Sequence, residues 1–410
     1  MEFSISKISS DKIKELVKVS SSISDVSIQR NLFIMKADTN KLYAIVYGNG
    51  NIVRFNVEIE NFANEGPSNY FYIDIGQFTQ ALDKVFMASG AEEVKVKLDK
   101  TRLVVSNGKS KITVNMFDNL EEAEYEEAFN AYEAKQSNFT TPSKVIISKE
   151  MMDFASVVGK YITMIDKPDL VTGFAVEGTG LYYSDMCLSI VHKELSYSAS
   201  TERLFIPQTM FSFLSSLSLI GNFNLNYSDD KTLVSVSIPE ANFDAIMSMP
   251  LVTAEYPTDE EMAAMLPTED NQFSFDIDIP TFLTKMSTFD GVFPSAQWRW
   301  KSVDFNFNKA DSSISMAHTS ASAEVDTDLP VSNVNVVSSE EDLNFKLATI
   351  VVYDFLSKLA KDQTTVHVCA SPIGPSTECD DGGRHGLGVK FVVDGMSFII
   401  SKMETSDEVM

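Results

Sequence analysis

One stretch of the chain, Phe71 to Val114, occurs three times, and that recurrence constrains the fold more than any other feature. It begins with a short strand pattern, Phe71–Asp74, and passes into an amphipathic helix, Gln77 to Met87, that Gly90 stops. Three alternating strands follow, Glu93–Leu98, Arg102–Val105 and Lys111–Val114. The same order returns at Leu204–Pro207, with a helix to Leu219, a stop at Gly221 and strands at Asn222–Tyr227, Leu233–Ile238 and Phe243–Met247. It returns again at Asn344–Leu347, with a helix to Leu359 and strands at Thr365–Ala370, Leu387–Val393 and Ser397–Met403. A period of roughly 130 to 140 residues is too long for a solenoid and marks a repeat of whole domains.

Each copy is preceded by a similar half-unit. In the first, a strand at Phe3–Ser6 leads to a helix through Val19, with Ser9 or Ser10 as the expected N-cap, and then to strands at Leu32–Lys36, Lys41–Tyr47 and Val53–Ile59. In the second, the strand Lys144–Ile147 leads to a helix from Lys149 to Tyr161 and strands at Leu170–Glu177, Gly180–Asp185 and Ser189–Leu195. In the third, the strand Phe273–Ile277 runs through Pro280 into a helix ending near Gly291, followed by strands Ser302–Asn306 and Ser313–His318. The expected class is therefore α+β, with three tandem domains of two strand–helix–meander half-units each. The boundaries are residues 1–117, 144–267 and 268–403, with a polar tail at 404–410. Residues 118–143, crowded with glutamates, read as an acidic linker or exposed excursion, with a short helix around Glu121 to Ala134 as the alternative.

A hydrophobic content of 44% lets each domain bury its own core, and no apolar run reaches membrane-spanning length. The opening Met1–Ser4 lacks a signal-peptide pattern, and three cysteines in 410 residues fit a reducing compartment, so a cytoplasmic protein is expected. A formal charge of −25 argues against a nucleic-acid partner only if it is evenly spread. The six helices carry nine lysines, Lys12, Lys14, Lys18, Lys84, Lys149, Lys160, Lys285, Lys358 and Lys361, against six carboxylates, a net +3 within an acidic chain. Such lysines also fit the solvated faces of ordinary amphipathic helices.

Two-half-unit domains, the strand–helix entry Tyr72–Ile75 to Val85, the segment Leu251–Pro257 and the terminal strand Phe398–Met403 together resemble the bacterial-type DNA polymerase sliding clamp. That protein is the beta subunit of the replicase, and it has phage-encoded relatives. The resemblance covers nearly the whole chain, and the acidic insertion suits a phage origin. It implies a head-to-tail ring of two subunits, with outer sheets and inner helices, around duplex DNA that is held without being read. The nine helical lysines would then line the channel. The implied partners are double-stranded DNA, a DNA polymerase, a clamp loader, other proteins carrying a clamp-binding motif, and a second copy of the chain; a membrane is not among them.

Carried over position by position, the partner-peptide pocket would comprise Tyr183, Ser184, Asp185 and Leu188, with Pro257 and Met262 from the connecting segment and Ile400 and Met403 from the terminal strand. Methionines suit a groove that accepts different peptides. Glu261, where the family has a basic residue, and the ending Ser401–Met403 depart from the pattern, and ordinary inter-domain packing remains the alternative. The subunit contact would join Ile112 and Val114 to Met286 and Phe289, which equally fit packing within their own domains.

Trp298–Lys301 is an aromatic–basic cluster that fits either DNA contact or a core tryptophan with surface neighbours. His367, Cys369, Cys379 and His385 lack zinc-site spacing, so neither metal nor cofactor is expected. There is no phosphate-cradling glycine loop, nucleophile elbow or paired metal-binding histidines, which argues against an enzyme. A monomeric processivity factor, or a platform for transcription proteins on the same fold, is the competing reading. So small a helical charge favours encirclement over one-sided binding.

Overall fold

The computed structural model describes residues 1–23, 32–48, 51–66, 69–99, 101–117, 122–161, 173–184, 189–249, 256, 266, 272–289, 302–308, 313–319, 324–337, 343–360, 362–371 and 388–402. They fall into two compact units, one of residues 1–149 and 209–251, the other of residues 150–208 and 252–410. Strands and helices are numbered along the chain.

The first unit contains β1 (Glu2–Ser6), α1 (Lys7–Ile23), β2 (Leu32–Asp38), β3 (Lys41–Gly48), β4 (Asn51–Glu58) and β5 (Glu60–Ala63). These are followed by β6 (Tyr70–Asp74), α2 (Ile75–Ser89), β7 (Glu93–Asp99), β8 (Arg102–Ser106), β9 (Lys111–Phe117), α3 (Glu122–Gln136) and β10 (Ser143–Ile146). After an excursion into the second unit, the chain returns to add α5 (Phe211–Ser218), β15 (Asn224–Tyr227), β16 (Leu233–Ile238) and β17 (Phe243–Ser248). All strands join one antiparallel sheet in the order β10-β15-β16-β17-β4-β3-β2-β6-β9-β8-β7-β1-β5.

The second unit contains α4 (Lys149–Tyr161), β11 (Gly173–Gly178), β12 (Gly180–Ser184), β13 (Ser189–Glu194) and β14 (Ser200–Pro207). It continues with β18 (Gln272–Asp278), α6 (Ile279–Ser287), β19 (Ser302–Asn308), β20 (Ser313–Thr319) and β21 (Glu324–Val337). Last come β22 (Leu343–Ala348), α7 (Thr349–Asp354), β23 (Thr365–Ala370), β24 (Gly388–Val393) and β25 (Met396–Ser401). The sheet order is β14-β11-β12-β13-β25-β24-β23-β18-β21-β20-β19-β22.

Strand, helix and three further strands thus occur six times, as the sequence recurrence requires. In all six, the opening strand pairs with a strand of another half-unit: β1 lies on β7, β6 on β2, β10 on β15, β14 on β11, β18 on β23 and β22 on β19. The alternation is that of sheets with one face in the core. In β7, Val94 and Val96 are buried while Lys95 and Lys97 point out. Helix α2 is bounded by local chemistry: Asp74 accepts a hydrogen bond from the Gln77 amide at 3.0 Å, and Gly90, at φ 60°, closes the end. For α1, the cap is Ser6 rather than Ser9 or Ser10; its Oγ accepts from the Ser9 amide at 3.1 Å, so the helix begins two residues before Ser9.

Two departures from expectation concern strands that change partners. β21 pairs with β20 through Pro330 and with β18 from Val331 onward; β5 carries the chain leaving β4 onto β1. Both turn at an asparagine in the left-handed region, Asn61 (φ 54°) and Asn333 (φ 51°), the residue type that tolerates it best after glycine. Each side chain ties the corner to the opening strand, Asn61 to Ser4 and Asn333 to Asp276, at 3.4 and 2.6 Å. Asp276 also faces His367 at 2.7 Å. Burial raises its pKa, but the hydrogen bonds from Asn333 and His367 outweigh that and hold the carboxyl below its ordinary value. Asn333→Val is expected to cost about 2 kcal/mol, since the corner conformation and the hydrogen bond are lost together, and Asn333→Gly about half that. Thermal unfolding of the full chain checks the ranking.

The acidic-linker expectation is corrected over residues 122–136, which form α3. Ala128 and Tyr132 on this helix are 3% and 5% exposed, against Ile34, Ile45, Ile52 and Ile246 on the sheet. Its glutamates at 126, 127 and 133 remain in solvent, so composition alone concealed a buried face.

Candidate nucleic-acid interface

Helix α1 packs on α2 and α5 within the first unit, and α6 packs on α7 within the second. On α1, the positions 8, 11, 15 and 18 form one exposed face. It carries Ile8, Asp11, Glu15 and Lys18. Lys12 is half-buried beside it. Lys14 is also half-buried, and its ammonium bridges Asp11 at 3.0 Å and Asp83 of α2. Burial works against that charge, but the hydrogen bonds to Asp83 and Asp11 prevail and raise its pKa. Lys14 is therefore a strut between two helices rather than a free phosphate ligand.

Lys84 is exposed on α2, Lys149 at the first turn of α4, and Lys358 on the π-helical turn Phe355–Leu359 that extends α7. Lys285 is half-buried in the last turn of α6. The side chain of Lys160, and all of Lys361, lie outside the described residues. Among described residues, the exposed charges of these six helices are four lysines (Lys18, Lys84, Lys149 and Lys358) against three carboxylates (Asp11, Glu15 and Asp153). Lys12, Lys14 and Lys285 are half-buried, as are Asp83, Glu150 and Asp354, so charges of both signs are withdrawn from the exposed faces.

Hydroxyls occupy much of the remaining exposed helical surface, and most donate to their own helix. Ser216 bonds the Ser212 carbonyl at 3.0 Å, Thr284 that of Pro280 at 2.8 Å, and Ser287 that of Thr284 at 2.7 Å. A hydroxyl so engaged has no proton left for a phosphate oxygen. The faces offer sparse lysine charge over a surface whose hydroxyls are largely engaged, which gives weak attraction without fixed register.

Of the residues expected to form a peptide pocket, Tyr183, Ser184 and Ile400 are described; they lie on the second unit's sheet, where β12, β13 and β25 are consecutive neighbours. Ser189 stands opposite Ile400 across the β13–β25 pairing. Tyr183 and Ile400 are fully buried; the Tyr183 hydroxyl donates to Gln208 at 3.1 Å, and Ser184 to the Ser189 carbonyl at 3.2 Å. These residues are buried within the sheet and present no surface to a peptide themselves. Asp185, Leu188, Pro257, Met262 and Met403 lie outside the described residues, as do Trp298–Lys301, Cys379 and His385.

Two residues here escaped sequence reasoning. Tyr256 lays its ring on Phe205, centroids 5.4 Å apart, and its hydroxyl engages both backbone groups of Gly173, accepting from the amide at 3.2 Å and donating to the carbonyl. Only glycine fits at 173: a Cβ there would sit 2.4 Å from the Ile206 carbonyl oxygen on β14. The signal was the Tyr256-Pro257 pair ending the segment already noted for its resemblance. The second is Lys402, 6% exposed, whose ammonium donates to the Ser371 carbonyl and so ties the end of β25 to the end of β23. Burial lowers its pKa to about 8. The lysine replacing an apolar ending is thus a structural anchor.

The expected subunit contact divides. Met286 and Phe289 are fully buried in the second unit, because the apolar stripe of α6 faces its own core; they are not available to a second subunit. Val114 is also buried and Ile112 half-buried, but their strand is open. β9 pairs with β8 along its length and with β6 only at Met116 and Phe117, so Lys111–Asn115 has no second strand partner among described residues. The first half of β21, Glu324–Leu329, is likewise bordered only by β20. The exposed positions are Lys111, Thr113 and Asn115 on β9, and Glu324, Asp326 and Asp328 on β21. Among described residues, no group of histidine, cysteine and acidic side chains could hold a metal ion.

No protein-family model matches the sequence, nor does any curated protein. Solved structures do match. The fold is similar to that of DNA polymerase III subunit beta from Borrelia burgdorferi in complex with a natural product, with a TM-score of 0.64 and 10% identity over 99% of this chain and 100% of that one. The Pseudomonas aeruginosa sliding clamp with ligand gives 0.64 and 12% over 98% and 99%. The Helicobacter pylori beta clamp bound to a DNA ligase peptide gives 0.60 and 12% over 98% and 99%. At such identities the likeness establishes fold: the chain has the α+β sliding-clamp fold over nearly its whole length.

Proposed function

We propose that the protein is a DNA sliding clamp, a three-domain chain that pairs head to tail with a second copy around duplex DNA and tethers a DNA polymerase to it. The observation that carries this reading is the sixfold strand–helix–meander architecture, matched over 98–99% of the chain by bacterial beta clamps. A protein of this kind performs no chemistry. It acts by topology, which suits helical faces with few lysines and self-satisfied hydroxyls. Because the Helicobacter pylori clamp is bound to a ligase peptide, this chain is expected to take peptide motifs of the polymerase, a clamp loader and other partners, and the residues carried over from the resemblance put them at the β12–β13–β25 region. A protein working on replicating DNA without a membrane resides in the cytoplasm of its cell or host.

The two open edges support self-association. β9 presents Lys111 at the end of its ladder opposite Ser106 of β8, and β21 presents Glu324, Asp326 and Asp328, so an antiparallel pairing of these edges on two subunits sets a lysine against carboxylates. Light scattering across a dilution series near physiological salt is expected to give twice the 45.5 kDa chain mass. Lys111→Glu shifts the protein toward monomer, and adding Asp326→Lys to it restores the dimer. A wild-type monomer at micromolar concentration sinks the closed ring and leaves the one-sided factor as the better reading.

A further inference from the structure

The connection between β9 and β10 does more than join them. α3 lies across the outer face of the first unit's sheet, on β3 and β17. The strands beneath come from distant parts of the chain: β4 meets β17 through only four register pairs, from Ile52↔Ile246 to Phe55↔Phe243. Ala128 and Tyr132 of α3 pack on Ile34, Ile45 and Ile52 from one side of that seam and Ile246 from the other.

At the centre stands Arg54 of β4, directly opposite Asp244 of β17. Its Nε donates to Asp244 at 3.4 Å and its Nη1 to Glu133 of α3 at 2.9 Å, while the guanidinium lies 3.7 Å from the centre of the Tyr132 ring. One side chain thus touches all three elements. Asp244 is fixed in turn by the Ser237 hydroxyl at 2.7 Å. Beyond the helix the chain is tied to the β15–β16 turn: Asp229 donates its amide to the Asn138 carbonyl at 3.1 Å, and its carboxylate accepts from the Thr141 amide at 2.9 Å and from Thr140.

We propose that α3 is a built-in brace that makes the β4–β17 seam a fixed joint, with Arg54 as the residue that couples brace to seam. Four register pairs form a short ladder, and such ladders open locally at low cost. A helix anchored to both sides makes the opening of either strand carry the loss of the whole apolar cluster and of a ring-stacked, twice-paired guanidinium. Resting on the clamp reading, it follows that ring opening takes place at a junction other than this one.

The test is backbone hydrogen exchange, read by mass spectrometry on the full chain without DNA, so its outcome does not depend on whether the protein encircles anything. In Arg54→Ala and in Tyr132→Ala, amides of Ile52–Phe55 and Phe243–Ile246 are expected to exchange at least tenfold faster, with those of β7 and β8 unchanged. Glu133→Gln, which leaves the packing intact, is expected to give about a twofold effect at the same amides and serves if the larger truncations do not fold. Rapid exchange within α3 while the seam keeps its protection overturns the proposal. So does uniform acceleration throughout the first unit, which would make α3 a general stabiliser rather than a brace of this seam.

Discussion

Exchanging Lys18, Lys84, Lys149 and Lys358 together for glutamate is expected to reduce retention on nicked circular DNA by about two orders of magnitude at moderate salt. These are the exposed lysines among the described residues of the six helices, and each one engaged with phosphate contributes about 0.9 to the slope of log affinity against log salt. Eight such groups in a dimer contribute roughly 7, and reversal adds repulsion to the loss. Lys14→Met is the informative contrast. Its ammonium already serves Asp11 and Asp83, so DNA retention is expected to change little while the contact between α1 and α2 weakens. Retention of the quadruple variant at the wild-type level, on closed circles and at several salt concentrations, would falsify the channel assignment.

Tyr256→Ala is expected to destabilise the second unit by about 3 kcal/mol, seen as a lowered urea midpoint. The ring contact with Phe205 is lost, and the Gly173 amide loses the hydroxyl it donates to, an omission worth about 1–3 kcal/mol by itself. Tyr256→Phe keeps the ring and is expected to cost about half as much. Because Tyr256 is anchored on β11 and β14 and immediately precedes Pro257 in the chain, both variants are expected to weaken binding of a clamp-binding peptide, Ala more than Phe. An unchanged urea midpoint in Tyr256→Ala would leave the segment without its proposed anchor.

What was legible in the sequence was legible because its cause is local. Asp74 and Gly90 mark the ends of α2, and the alternation in β7 separates Val94 and Val96 from the lysines between them. The recurrence carries the six half-units, and the resemblance anticipated that Tyr183 and Ile400 would come from strands of one region. What escaped depends on residues far along the chain. Lys14 reads as free until Asp83 is brought to it by helix packing. Met286 and Phe289 lie on an apolar helical stripe, and periodicity cannot say whether that stripe meets its own core or another subunit. α3 looked like a solvated acidic run because, among its described side chains, Ala128 and Tyr132 are buried with Phe129 and Ala131 partly buried beside them, and their polar anchor Arg54 lies far back in the chain. The corners at Asn61 and Asn333 were hidden because one residue there ends one ladder and begins another.

The division of the chain between its two units has a consequence for synthesis. Arg54 and Asp244 are 190 residues apart, and residues 150–208, which belong to the second unit, lie between them. At translation rates of roughly 5–20 residues per second, β4 leaves the ribosome about 10–40 s before the strand that completes its edge. An open apolar strand exposed for that long invites pairing with neighbouring nascent chains. α3 emerges early in this interval, carrying the alanine and tyrosine that cover Ile34, Ile45 and Ile52, and its exposed glutamates surround the site with negative charge. If the helix forms on synthesis, it covers this apolar surface before β17 arrives to complete the edge.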